Sequence, residues 1–233
     1  MRKTNTSVWF SSLLLMALLP GIASLAYGDT VVDTTPSWNG SDPVYLFGPS
    51  NTETYGQIIT VPWTDPVLQS WTFYMEQSTA INFQGEVYAW NGSMAVGPNL
   101  FQSAVMTTTN PNGFQAITFN TGGLALTPGD RYVLFASSSQ GNQSPTVGGD
   151  WGFIPLGSVY AGGAFAFINN ESNISQWTSS TWTTDWLGAG NDLAFKAHFD
   201  SPAAVPEPTA RILLAIVLCA MAVVTLRCRK LAH

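Results

Sequence analysis

The chain has 233 residues and a formal net charge of −6, but its charge is unevenly distributed. The segment from Asp29 to Val205 holds two basic residues, Arg131 and Lys196, against thirteen acidic ones, a formal charge of −11. Phosphate backbones repel so acidic a segment, which excludes nucleic acid as a partner. Both cysteines, Cys219 and Cys228, lie beyond this segment, which excludes disulfides and thiol chemistry from it.

Residues 1–28 have the pattern of a secretory signal peptide. They begin with two basic residues, continue with an apolar stretch from Val8 to Leu19, and end in small residues that permit cleavage after Ala26 or after Gly28. The alternative is a first transmembrane anchor, but a spanning helix needs about 20 apolar residues and this stretch is shorter. We therefore expect the rest of the chain to be exported.

Residues 29–200 show short runs of alternating apolar and polar residues and no sustained 3.6-residue period. The runs predicted to be strands are Tyr55–Val61, Leu68–Met75, Phe83–Trp90, Gln115–Phe119, Arg131–Ser137 and Leu193–Phe199. Within the second run, Trp71, Phe73 and Met75 fall on one face, as a half-buried strand requires.

Turn-forming residues separate the runs, as at Asn91-Gly92 and Pro128-Gly129-Asp130. A hairpin turn is predicted at Asn112-Gly113, between Val105 and Ile117. Several short strands at this spacing predict an all-β fold, and the length suits one substantial core. We expect residues 29–200 to form a single β-sandwich domain that resembles a jelly roll.

Few residues of the body are suited to catalysis. His198 is the one histidine in residues 29–200, so neither a zinc site nor a Cys-His pair can be assembled there, and we expect an ordinary strand residue. Glu76 and Glu86, on two predicted strands, are the candidate carboxylate pair of a polysaccharide hydrolase. We expect no enzyme and no catalytic residue, with the hydrolase as the alternative.

Trp177, Trp182 and Trp186 fall within ten residues that are otherwise mostly polar. Flat aromatic rings on a rigid β scaffold stack against sugar rings, while neighbouring amides and carboxylates bind hydroxyl groups. The sequence therefore predicts a glycan-binding site at these three residues. The alternative is that one or two of the indoles close the core. Trp38 and Trp63, each flanked by a proline, are weaker candidates.

A structural calcium ion is a further hypothesis for this acidic body. Hard cations prefer carboxylate and carbonyl oxygens in loops, and Asp150, Asp185 and Asp192 lie in segments of that kind. The spacing is not that of an EF-hand. No other cofactor is expected.

The C-terminal end carries one apolar segment, residues 212–226. As a helix it is about 22 Å long, short of the roughly 30 Å hydrocarbon core, and snorkelling of Arg211 and Arg227 closes the gap. A basic stub, residues 227–233, follows and is expected to stay in the cytoplasm. We therefore predict a transmembrane helix with the body outside the cytoplasm.

The linker before this helix, residues 201–211, contains Pro206, Glu207 and Pro208, and its prolines favour an extended chain. The tripeptide, the apolar helix and a basic stop follow one another in that order. The residues of the basic stop are Arg227, Arg229 and Lys230. This ordered tail resembles the PEP-CTERM sorting domain of bacterial exported proteins.

The resemblance, which is confined to the tail, implies that an exosortase-type enzyme processes the chain at the inner membrane. The body would then pass from the periplasm to the cell surface or the extracellular matrix. Proteins of this family tend to accompany exopolysaccharide. Together with the tryptophans, the resemblance predicts a structural or glycan-binding component of a biofilm matrix.

Overall fold

A computed structural model describes residues 29–49, 51–141, 147–155, 157–186, 190–202 and 217–218. The predicted signal peptide, the Pro-Glu-Pro part of the linker and the basic stub lie outside these residues, as does all of the predicted transmembrane helix except residues 217 and 218. Within the described ranges, no helix is both long enough and apolar enough to cross a membrane.

The regular secondary structure of the described body is almost entirely β-strand. The strands are β1 (Thr30–Asp33), β2 (Pro43–Phe47), β3 (Thr54–Thr60), β4 (Val67–Trp90), β5 (Ala95–Gln102), β6 (Met106–Ala125), β7 (Arg131–Ser137), β8 (Gly149–Ile154), β9 (Phe165–Ile168), β10 (Asp192–Leu193) and β11 (Phe195–Asp200). Two short 3₁₀ helices, Thr35–Ser37 and Ile174–Thr178, lie between strands. The named strands pair antiparallel, and the prediction of an all-β sandwich is confirmed.

The strands form two sheets that share β4. In the first sheet, β4 pairs with β11, β6 and β8, while β1 continues from β11 and β2 from β8. In the second sheet, the order is β9-β3-β7-β4-β5. The register of β4 against β6 shifts between Met75 and Ile81. This stretch separates the part of β4 that pairs in the first sheet from the part that continues into the second. Such bulges bend a strand, which lets β4 pass from one sheet to the other.

Two sequence predictions need correction here. The runs Leu68–Met75 and Phe83–Trp90 are not separate strands but parts of β4. The hairpin turn at Asn112-Gly113 is wrong, because both residues lie within β6, where its register against β4 shifts. Gly113 has a φ of 113°, a left-handed conformation that suits glycine at an irregular point in a strand.

The main core lies between the two sheets and is rich in aromatic rings. Trp71, Phe73 and Met75 are fully buried, which confirms the alternation predicted for this part of β4. The indole of Trp71 stacks on Phe119 of β6 at 4.8 Å, and Phe73 lies 4.8 Å from Trp151 of β8. Rings of this size contribute both buried area and specific edge and face contacts, so the sandwich holds without disulfides.

A second apolar layer covers the outer face of the second sheet. The chain after β9 folds back over this face, and its Trp177 and Trp182 lie 5.1 Å and 5.2 Å from Phe135 of β7. Because the sheet is covered on both faces, six of the seven residues of β7 are buried.

The two ends of the body meet at one buried side chain. The hydroxyl of Thr30, at the start of β1, and that of Ser201, just after β11, both donate hydrogen bonds to Asp65, the second at 2.6 Å. The hydrogen bonds hold the pKa of the Asp65 carboxyl below its usual range. Thr30 and Ser201, near the two ends of the described body, therefore lie close together.

Gly85 offers a test of how β4 crosses the core. A Cβ at this position would lie 2.2 Å from a ring carbon of Phe119, which is itself buried. We expect Gly85→Ala to lower the free energy of unfolding by about 1–3 kcal/mol through overpacking, as measured by urea denaturation. Gly97→Ala, where a Cβ would meet no atom within 4 Å, is the control and carries only the cost of its left-handed backbone.

The double variant Gly85→Ala/Phe119→Leu decides whether the ring is the cause. We expect it to lose less stability than the two single variants together, because the smaller side chain relieves the overlap. Strict additivity would contradict this account of the contact.

Candidate functional site

A cavity of about 240 Å³ opens where β2, β3 and β9 come together. Aromatic and amide side chains make up most of its lining. The lining residues are Val44, Tyr45, Asn51, Thr52, Tyr55, Phe167, Asn169 and Trp186. Drug-sized pockets usually measure about 300–1,000 Å³, so this cavity suits one ring-sized group.

Trp186 is held at the mouth of this cavity by its neighbours. Thr183 and Phe167 exchange two backbone hydrogen bonds, of 2.9 Å and 3.0 Å, which attach the preceding segment to β9. The buried amide of Asn191 donates to the carbonyl oxygen of Trp186. The indole meets the Phe167 ring edge-on at 5.7 Å and 87°, and 43% of the residue remains exposed.

Tyr45 is the second exposed aromatic residue of the cavity, with 63% of its surface accessible. The hydroxyl of Tyr55 donates a 2.7 Å hydrogen bond to the carbonyl oxygen of Tyr45, which fixes the backbone beneath the exposed ring. Burial raises the pKa of Tyr55 well above its ordinary value, so the phenol stays protonated and remains a donor throughout the physiological range.

The polar groups of the cavity are neutral. Asn51 and Asn169 have exposed amide side chains, and Thr52 donates a 3.0 Å hydrogen bond to the amide oxygen of Asn51. Among the described residues, no charged side chain lines the cavity. Exposed aromatic faces beside neutral donors and acceptors are suited to sugar rings and their hydroxyl groups.

The structure separates the three tryptophans predicted to bind glycan. Trp177 and Trp182 are 2% and 3% exposed, so the prediction is wrong for these two residues, because a buried ring cannot stack on a ligand. Their indole N–H groups are also engaged, donating to Thr54 and to the carbonyl oxygen of Trp177 respectively. Trp186 alone of the three reaches the cavity.

The candidate hydrolase carboxylates, Glu76 and Glu86, lie in different surroundings. Glu86 is fully buried and accepts hydrogen bonds from three side-chain amides: Asn99, Gln102 at 2.8 Å and Gln140 at 3.3 Å. Burial raises the pKa of Glu86, and these hydrogen bonds only partly offset it. Glu76 instead faces Asp150 across β4 and β8. The two glutamates therefore have different neighbours.

The three aspartates predicted as calcium ligands are also dispersed. Asp192 is buried, and its oxygens accept hydrogen bonds from Gln57, Val159 and Tyr160 at 2.8–3.0 Å. Burial and the nearby charge of Glu76 raise the pKa of Asp150, while Asp185 is exposed. In the ranges that the structure covers, no group of three or more His, Cys, Asp or Glu side chains is placed to hold a metal ion.

His198 lies on β11 and is exposed, opposite Val31 of β1 and Ser70 of β4. No other histidine belongs to residues 29–200, so two histidines cannot form a site together there.

No protein-family model matches the chain, and no curated protein matches its sequence. In structure, the chain is similar to the clostridial cysteine protease Cwp84 after propeptide cleavage, with a TM-score of 0.53 and 10% identity over 75% of this chain. The match spans 40% of that protein's length. A second match is the cysteine protease and lectin-like domains of Cwp84 from Clostridium difficile, with a TM-score of 0.45 and 11% identity over 65% of this chain and 33% of that one.

The expectation that the body is not an enzyme is not supported by this comparison, since the first of these proteins is named as a cysteine protease. At 10% identity the likeness shows a common fold and transfers no catalytic residue. Both cysteines of this chain, Cys219 and Cys228, lie outside the described residues.

The buried Glu86 carboxyl predicts an unusual pH dependence. Its folded pKa lies above the ordinary value of 4.5, so the folded state binds this proton more readily than the unfolded state. Stability from this group is therefore gained as the pH falls from neutral through the folded pKa toward 4.5. We expect wild-type protein to gain stability relative to Glu86→Gln over that interval, measured by urea denaturation at several pH values. Exposed Glu171→Gln is the control, and parallel curves for wild type and Glu86→Gln would show that Glu86 is not desolvated.

Proposed function

We propose that the body of this chain binds a neutral saccharide in the cavity beside Trp186. The observation that carries this proposal is the pair of exposed aromatic residues, Trp186 and Tyr45, on a cavity whose other polar groups are uncharged. A sugar ring stacks on an exposed indole, and its hydroxyl groups exchange hydrogen bonds with the amides of Asn51 and Asn169.

The charge of the body supports a neutral ligand over an acidic one. A formal charge of −11 raises the free energy of any polyanion near the surface, and the cavity offers no cation to compensate for it. Binding of a neutral sugar also depends little on ionic strength, because no ion pair forms.

The placement of the cavity fits display from an anchored chain. The two ends of the body meet at Asp65, beyond the end of β3, and Tyr55 lies near the start of that strand. The stretch from Tyr55 to Thr60 is about 17 Å long, at roughly 3.4 Å per residue. The cavity therefore lies at about that distance from the two ends of the body. On this proposal, the PEP-CTERM-like tail delivers the body to the cell surface or matrix, and the saccharide is part of the surrounding exopolysaccharide.

Replacing Trp186 tests the binding proposal. We expect Trp186→Ala to weaken binding of a neutral oligosaccharide by about 1–3 kcal/mol, taking the stacking of a base on an aromatic ring as a guide to one stacked ring. Calorimetric titration with cellotetraose, maltotetraose, mannotetraose and chitotetraose measures this. Ile174→Ala is the matched control, because Ile174 is also apolar and 47% exposed but does not line the cavity.

Two outcomes would count against the site. One is unchanged affinity in Trp186→Ala, and the other is stronger binding of tetragalacturonate, an acidic sugar, than of any neutral one. Thermal unfolding of the variant separates loss of binding from loss of folding.

The sorting tail has its own test. We expect replacement of Pro206, Glu207 and Pro208 by alanines to leave the tail attached and the chain in the inner membrane, because the processing enzyme no longer recognises it. Mass spectrometry of the mature protein reads the result. If the altered chain matures like the wild type, the tripeptide is only an extended linker.

A further inference from the structure

A second cleft lies at the other end of the second sheet from the Trp186 cavity. It has a volume of about 480 Å³ and is bounded by the end of β4 and the start of β7. Its polar and aromatic lining includes Trp90, Asn91, Asp130, Arg131 and Tyr132.

Arg131 is unusual in this body because it is one of only two basic residues. The other, Lys196, forms a 3.0 Å ion pair with Asp33. In the part of the chain that the structure describes, Arg131 forms no ion pair, and its side chain is exposed at the cleft. A guanidinium group presents five N–H donors in a fixed plane, so it can bind adjacent oxygen atoms of one ligand.

Trp63 stands beside this cleft and is 79% exposed, more than any other large apolar residue described. Its ring lies against Gly129, which lines the cleft: a Cβ on Gly129 would fall 2.5 Å from Trp63 Cζ2. Gly129 has a φ of 79°, so both the backbone conformation and the close ring require glycine. An exposed aromatic ring thereby lies against the segment Gly129-Asp130-Arg131, which lines the cleft.

We propose that this cleft is a second saccharide-binding site, separate from the Trp186 cavity. Arg131 donates to ligand hydroxyl groups, the Asp130 carboxylate accepts from them, and Trp63 offers a stacking surface. Because Asp130 balances the charge of Arg131 within the cleft, the ligand is again a neutral, hydroxyl-rich sugar unit. The inference rests on the function proposed above only for the class of ligand.

The first site includes a residue of β3, and the second includes residues of its paired strand β7. Tyr55 of the first cavity is opposite Ala136 of β7, and Thr60, five residues further along β3, is opposite Arg131. The sites are therefore separated by about 17 Å along β3, at roughly 3.4 Å per residue. A body with sites at both ends of a sheet can join two saccharide segments.

Stoichiometry tests the second site. The exported chain is titrated calorimetrically with the same four neutral tetrasaccharides. Counting only sites that bind with wild-type affinity, we expect two in the wild type, one each in Trp186→Ala, Trp63→Ala and Arg131→Ala, and none in Trp63→Ala/Trp186→Ala. Arg131→Lys should weaken binding at the cleft at least tenfold, because lysine keeps the charge but loses the planar set of donors.

The outcomes separate the two proposals. A single site that only Trp186→Ala removes would overturn the cleft and leave the first site standing. A single site that only the Trp63 and Arg131 variants remove would support the cleft and overturn the first site. No binding of any of the four sugars would contradict both. Trp63 and Arg131 are exposed, so unfolding of their variants is not expected, and thermal melting verifies this.

Discussion

Strand β4 exchanges backbone hydrogen bonds with both sheets of the sandwich along its 24 residues. Its first part fixes the register of β11 and β6, with Phe73 opposite Phe195 and Ile117, and its last part fixes β7, with Val87 opposite Leu134. The relative position of the two sheets therefore depends on how this one strand bends. The aromatic core follows from the bend, because it brings rings from both sheets into contact without any disulfide.

The covering layer on the second sheet connects this scaffold to the candidate site. Trp177 and Trp182 anchor the chain after β9 by packing on Phe135, and Trp182 also donates its backbone N–H to Ser93 across the layer at 2.9 Å. The next residues then pair with Phe167 and bring Trp186 to the cavity. Trp177 and Trp182 are thus buried in the covering layer and hold the following chain in place. Because Trp186 is already positioned at the surface, less conformational entropy is lost when a ligand binds.

The sequence predicted well whatever depends on local pattern. The bounds of β7 agree with the predicted run, Arg131–Ser137, and the buried face of the first part of β4 follows from simple alternation. The continuity of β4 could not be predicted, because alternation is interrupted between Met75 and Ile81, where the structure has its register shifts.

The site could be predicted only in part, and for a physical reason. Trp177 and Trp182 lie in a polar segment, and they are buried by residues such as Phe135, some forty positions earlier in the chain, which local composition does not reveal. Tyr45 and Asn51 share the cavity with Trp186 although they lie even further from it in the chain, and nothing in their own segments marks them as ligand-binding. The exposed aromatic residues beside the cavity became recognisable only once the fold had placed them together.

The indole N–H signals of the body test the central claim most directly, because each tryptophan reports its own surroundings in a ¹H–¹⁵N spectrum. On titration with a neutral tetrasaccharide that binds, the account predicts that the signal of Trp186 moves with ligand concentration. The signals of the buried Trp71, Trp177 and Trp182 should stay in place. A stationary Trp186 signal under saturating ligand would contradict the account.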